Sequence, residues 1–205
     1  MRALGIDPGL VRTGWAIVEP AGVRAVVRAH GVIMPPTDAE LPARLAEGAR
    51  RLRAVLLEHQ PDFVALEEIF TAPRHPRSAL LMAHMRGAIC LVLEEAGVPI
   101  MPLTATTVKQ RLTSSGHASK EQVQRMVLRL TGLEAGGGLR LDETDAIGLA
   151  LASLHQRVVG GPWSVVSERA EPPRGRGALR QHIAELRQRT TDRSSQDHES
   201  LTTDH

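Results

Sequence analysis

Aromatic residues are nearly missing from this 205-residue chain, which has two Phe, two Trp and no Tyr. Its core must therefore be assembled from Leu, Val, Ile and Ala. The length suits one globular domain of usual size plus a tail. A single cysteine, Cys90, excludes an intrachain disulfide and a thiolate metal cluster. It lies in an apolar helical run and reads as a small core residue. No apolar run approaches the roughly 18 residues of a membrane span, and the N-terminus lacks a secretory pattern. The expected location is the cytoplasm, with no membrane partner. Excess charge is also absent: the formal net charge of +2 is too small to announce a nucleic-acid partner. Lysine is the scarcest cation, found only at Lys109 and Lys120, with arginine at every other basic position. That pattern sets chance against a need for a compact ammonium at two neighbouring places.

The chain opens M-R-A-L-G-I-D-P-G-L-V-R-T-G. Ala3, Leu4 and Ile6 make a short apolar run, Asp7-Pro8-Gly9 breaks it, and Thr13 to Val18 starts another. Strand, turn and strand are predicted. A third run, Val23 to Ile33, completes an antiparallel meander. Apolar residues three and four apart predict a helix over Leu41–His59. Phe63-Val64-Ala65-Leu66 has the continuous apolar character of a central strand and ends in Glu67-Glu68.

A basic, proline-broken loop at 71–77 leads into a helix over Ser78–Ala96, stopped by Gly97. A brief strand at Val98–Met101 and a short helix over Thr104–Leu112 follow. Ser119 and Gln122 have capping-box spacing and open a helix through Leu130. After the flexible Gly136-Gly137-Gly138, the last helix runs from Asp142 to Val158. Residues 1–160 read as the folded domain. Residues 161–205 are polar and proline-containing, with seven Arg against seven Asp and Glu beyond position 161, and read as a disordered tail. The order β-β-β-α-β-α-β-α-α-α predicts an α/β fold, a mixed sheet with helices on both faces.

Four acids occupy positions that this order can gather. Asp7 ends the first strand and Glu67 the fourth; parallel neighbours would release both at one sheet edge. Asp142 and Asp145, three apart, share a face of the last helix. Each has a plain alternative: an Asx turn at Asp7, a solvated strand end at Glu67, and helix capping at Asp142 and Asp145. Together, facing one another, they would repel without a cation between them. Oxygen donors without Cys or a His pair point to Mg²⁺ or Mn²⁺.

The segments G-I-D-P-G (5–9), T-G-W-A (13–16), A-L-E-E-I-F (65–70), T-V-K (107–109), A-S-K-E-Q-V (118–123) and D-E-T-D-A-I-G-L-A (142–150) resemble the RuvC family of Holliday-junction resolvases over roughly residues 1–158. The resemblance implies an RNase H-like fold, a five-stranded mixed sheet with three antiparallel strands and then parallel ones. It also implies a homodimeric, Mg²⁺-dependent endonuclease that nicks four-way DNA junctions symmetrically, leaving 5′-phosphate and 3′-hydroxyl ends. The family's catalytic and metal-binding acids fall on Asp7, Glu67, Asp142 and Asp145, with two ions per subunit and Mn²⁺ as a possible substitute. Its functional lysines fall on Lys109 and Lys120, and its junction-contacting aromatic on Phe70, next to the DNA-binding candidates Arg74 and Arg77. A junction branch-migration motor of the RuvA and RuvB type is the implied partner. Where the family has a glycine-rich G-x-G before the second lysine, this chain has Ser114-Ser115-Gly116.

Phosphodiester hydrolysis needs an activated water and a stabilised leaving oxygen, which paired divalent ions supply. Lys120 suits neutralisation of charge on the phosphate, and Lys109 a grip on the backbone. Two rivals stand beside this reading: an RNase H-like nuclease for RNA–DNA hybrids, and a junction-binding protein without catalysis.

Overall fold

The computed structural model describes residues 1–22, 24–69, 76–134 and 139–159, with 76–78 and 155–159 as backbone alone. Its elements are β1 (Ala3–Asp7), β2 (Thr13–Ala21), β3 (Arg24–Ile33), α1 (Leu41–His59), β4 (Phe63–Glu67), α2 (Pro76–Glu95), β5 (Ile100–Leu103), α3 (Ala105–Thr113), α4 (Lys120–Thr131) and α5 (Leu141–Val159). They form the expected mixed sheet, in the order β3-β2-β1-β4-β5. β1, β2 and β3 pair antiparallel, while β1–β4 and β4–β5 pair parallel. The expected tail from 161 and the glycine run 136–138 lie outside the described residues. Among the described residues no helix is long and apolar enough to cross a membrane.

Two elements start two residues away from their predicted positions, for local reasons. β5 begins at Ile100 rather than Val98 because Val98 is still closing α2: its N–H donates to the Leu93 carbonyl at 3.0 Å, behind Gly97 at φ 62°. Pro99 has no N–H, but its carbonyl accepts from Val64 at 2.9 Å. α2 starts two residues early, at Pro76, where a proline's missing N–H removes no helical bond.

Side-chain alternation divides the core into two layers. Leu4, Ile6, Val64 and Leu66 pack beneath α1 and α2. Ala3, Phe63 and Ala65 face the other way, towards α3, α4 and α5. Carrying that alternation to the strand ends puts Asp7 and Glu67 on the α5 side. The parallel register pairs Gly5 with Ala65 and Ile6 with Leu66, so the two acids stand one step further along adjacent strands.

Helix α5 comes unusually near the sheet because two strand positions have no side chain. A Cβ on Gly5 would lie 1.9 Å from the Ala146 carbonyl oxygen, and one on Gly14 would lie 2.0 Å from that of Asp142. Backbone therefore rests on backbone at the helix end that bears Asp142 and Asp145. Gly5→Ala is expected to destabilise the protein by about 1–3 kcal/mol, because the added methyl must push a buried helix off the sheet. Denaturant unfolding of the two proteins checks this, and an unchanged midpoint would refute the close-contact account.

Candidate active site

Asp7 and Glu67, from the ends of β1 and β4, line a cavity of about 350 Å³ together with Asp145 of α5, Lys109 of α3 and Lys120 of α4. Burial is the main influence on both strand-end acids. It pushes Asp7 up to about 8, assisted by its hydrogen bond to Glu67 and by the negative charges of Glu67, Asp145 and Asp142. Glu67 is also raised, first by burial and then by Asp145, with the Asp7 hydrogen bond and Lys120 acting in the opposite direction. These directions fit a single proton between the two carboxyls, with Asp7 as donor and Glu67 as acceptor. The Glu67 backbone is fixed separately, since Arg86 Nε of α2 donates to its carbonyl at 3.0 Å.

Lys120 owes its place to the helix start. Ser119 Oγ accepts from the Gln122 N–H at 3.3 Å and Gln122 Oε1 accepts from the Ser119 N–H at 2.7 Å, the capping box expected from the sequence. The first helical residue is then Lys120, whose Nζ lies 2.7 Å from Asp145 Oδ2. That bond, opposed by burial, holds the ammonium above the ordinary lysine value. Lys109 is carried by α3, which Thr104 caps by accepting from the Thr107 N–H at 3.1 Å. The α3 helix closes at Ser114 with φ 60°, a left-handed conformation that favours glycine. The turn therefore forms with serine at a position where glycine would be favoured.

Asp142 differs from the other three acids. It does not line the cavity, and its Oδ2 lies 3.2 Å from Nε of Arg12 in the loop between β1 and β2. It does not cap α5 either. The helix begins at Leu141, and Glu143 Oε2 accepts the Arg140 backbone N–H at 2.7 Å. Glu143 Oε1 lies 3.0 Å from His30 Nδ1 of β3. Burial pushes the Glu143 carboxyl up, but the Arg140 and His30 bonds more than offset it, leaving it below the usual range.

Sequence reasoning missed His30, Glu143, Arg12 and Arg86. His30 had no readable signal, because the register shift between Ile17 and Val18 makes Arg28 an extra residue. The alternation of β3 is thereby reversed, which turns His30 towards α5. Of the DNA-binding candidates, Phe70 and Arg74 lie outside the described residues. Arg77 belongs to α2, and its side chain lies outside them.

Among the described residues no three acidic, histidine or cysteine side chains converge tightly enough to make a ready-built cation cage. The donor set nevertheless suits a hard cation. Three carboxylates border one cavity, and a shared proton and the Lys120 ammonium meet their charge. A divalent ion could replace both.

The family model described as crossover junction endodeoxyribonuclease RuvC matches residues 3–153. The RuvC crossover junction endodeoxyribonuclease of Burkholderia thailandensis is 41% identical over 155 residues, covering 76% of this chain and 84% of that one. That of Hyphomonas neptunium is 39% identical over 155 residues, covering 76% and 91%. Among solved structures, Thermus thermophilus RuvC in complex with a Holliday junction substrate matches with a TM-score of 0.71 at 30% identity, over 77% of this chain and 94% of that chain. With this likeness spread over most of its length and an RNase H-like mixed sheet beneath it, the chain belongs to the RuvC family of crossover junction endodeoxyribonucleases.

Proposed function

We propose that this chain binds four-way DNA junctions as a homodimer and makes paired, symmetric nicks by metal-dependent phosphodiester hydrolysis, leaving 5′-phosphate and 3′-hydroxyl ends. It would serve recombination and repair in the cytoplasm, beside a branch-migration motor of the RuvA and RuvB type. The observation that carries this reading is the convergence of Asp7, Glu67 and Asp145 with Lys120 at one cavity.

Asp7, Glu67 and Asp145 would hold two Mg²⁺ ions, with Mn²⁺ able to replace them and Asp142 turning in as the fourth acid. Bound divalent ions supply an activated water and neutralise charge on the phosphate. Asp7 must first surrender its shared proton, leaving a carboxylate between the strand ends. Lys120, released from Asp145, would place its ammonium against the non-bridging oxygens of the phosphate as their charge grows. Lys109, which lines the same cavity, would hold the DNA backbone. Once turned in, Asp142 would serve as a ligand or would orient the attacking water or take its proton.

The surface of α2 supports the dimer. Met85, Ile89, Val92 and Leu93 satisfy its buried side. Leu80 and Leu91, each 59% exposed, continue with exposed Ala83, His84 and Gly87 along an outer stripe. That outer face has the spacing of a two-fold helix contact. Arg86 on the same helix reaches the Glu67 carbonyl, so a dimer formed there would brace each active site.

The decisive experiment incubates a synthetic mobile junction with the wild type and with Asp7→Asn, with and without Mg²⁺. Asparagine mimics the neutral, proton-donating form of Asp7. The variant should fold and bind the junction normally, yet lose cleavage and any thermal stabilisation by Mg²⁺. Persistent cleavage would overturn the assignment. Efficient cutting of an RNA–DNA hybrid, with the junction spared, would overturn the substrate.

The cations divide the labour differently. Lys120→Ala should lower turnover with little change in junction affinity. Arg74→Ala or Arg77→Ala should weaken binding and flatten its salt dependence, by about one phosphate contact each. Equal losses of affinity in all three variants, measured across a salt series, would contradict these roles.

The shared proton makes stability pH-dependent. The folded value of about 8 for Asp7 exceeds the unfolded carboxylate value of about 4, so between them the native state keeps a proton the unfolded chain has released. The stability of ion-free protein therefore falls as pH rises from about 4 to about 8. The same proton opposes cation binding, so apparent Mg²⁺ affinity should climb across that window by up to about tenfold per pH unit. Thermal melts in chelator and in Mg²⁺ across this range test both slopes.

A further inference from the structure

The Arg12–Asp142 pair has a role beyond joining two surface charges. The base of its loop is tied down: Thr13 Oγ1 donates to the Gly9 carbonyl at 2.8 Å and accepts from the Gly9 N–H at 3.2 Å. Arg44 Nη2 from α1 donates to the Leu10 carbonyl at 3.0 Å. The loop tip is open, with the Arg12 side chain 56% exposed and Val11 beside it 54% exposed.

The Asp142 main chain is equally constrained. Its carbonyl rests on Gly14, and the turn it belongs to is held by the contacts from Glu143 to the Arg140 N–H and to His30. What remains free is the Asp142 side chain. It reaches Arg12 directly, and its charge is also felt at Asp7 in the cavity. It has two competing attractions, a guanidinium outside and the acid cluster inside.

We propose that Arg12 is a positioning residue that holds Asp142 away from the cluster until divalent ions bind, and that the released guanidinium then takes a DNA backbone phosphate at the cavity mouth. This rests on the metal-dependent nuclease reading above. Without ions, Asp142 inside the cavity would bring a fourth carboxylate to a place where one proton and one ammonium already serve three, so Arg12 is its favoured partner. With ions, the balance reverses, because a divalent cation attracts the carboxylate more strongly than a half-exposed arginine does. The guanidinium left behind is planar, always charged and shaped to fork onto phosphate oxygens. Ion binding and DNA binding thereby assist one another, and the coupling is reciprocal.

The test uses full-length protein. Mn²⁺ binding to DNA-free protein is measured by calorimetry or electron paramagnetic resonance for wild type, Arg12→Gln, Asp142→Asn and the double variant. Arg12→Gln removes the competitor and should bind Mn²⁺ about two- to fivefold more tightly, the scale of an exposed ion pair. In an Asp142→Asn background the same substitution should change nothing. Junction affinity, measured with Ca²⁺ and with chelator, should be enhanced by Ca²⁺ in the wild type; Arg12→Gln should lose that enhancement, and Arg12→Lys should recover part of it. Unchanged or weaker Mn²⁺ binding by Arg12→Gln overturns the proposal. If Asp7→Asn, run in parallel, still abolishes Mn²⁺ binding, only the role of Arg12 fails; if it does not, the metal-dependent reading fails with it.

Discussion

Like charges held together in a poorly solvated place are the constraint around which the rest of the molecule is arranged. Asp7 and Glu67 end neighbouring parallel strands and point to the same side, where Asp145 approaches from above. Three ionised carboxylates cannot share such a site without countercharge. The protein meets the difficulty with a proton between Asp7 and Glu67 and an ammonium on Asp145. Both are exchangeable cations.

The hydrophobic core supplies the rigidity this arrangement requires. Alternation along β1 and β4 sends the large residues Leu4, Ile6, Val64 and Leu66 towards α1 and α2. It leaves Ala3, Gly5 and Ala65 on the other side, with Phe63 the one large residue there, at the start of β4. Beyond Phe63 the small residues let α5 settle against the strands, and that approach brings Asp145 to the strand ends. A bulkier set on this face would preserve a sheet with helices and lose the site. Here packing volume at the strand centres governs chemistry at their ends.

Much of this was legible in advance. Element order, the capping box before Lys120 and the helix over Leu41–His59 follow from patterns a few residues long, whereas the parallel pairing of β1 with β4 entered as a condition that the family resemblance supplied. The convergence of Asp7 with Glu67 needed only the parity of two strands. The pairing of Asp142 with Arg12 was not legible, because it depends on how a loop folds over a helix end rather than on spacing. His30 was hidden by the extra residue at Arg28, which changes the face its strand presents without altering hydrophobicity. Nothing in the local pattern marked Gly5 and Gly14, and only the tertiary approach of α5 explains them. Local rules thus reached the two acids on strands and lost accuracy where separate elements meet.

Lysine at only two positions in a chain rich in arginine acquires a physical reason in this setting. An arginine at position 120 could grip Asp145 with two parallel bonds, while its delocalised charge would neutralise the carboxylate less compactly. A lysine makes a single bond, here 2.7 Å long and half exposed, and can leave when a stronger cation arrives. Lys109 faces the same cavity from α3 without an ion pair to any described residue, so its charge remains available to an incoming anion. Arginine instead serves at Arg44 and Arg86, which pin backbone carbonyls in place.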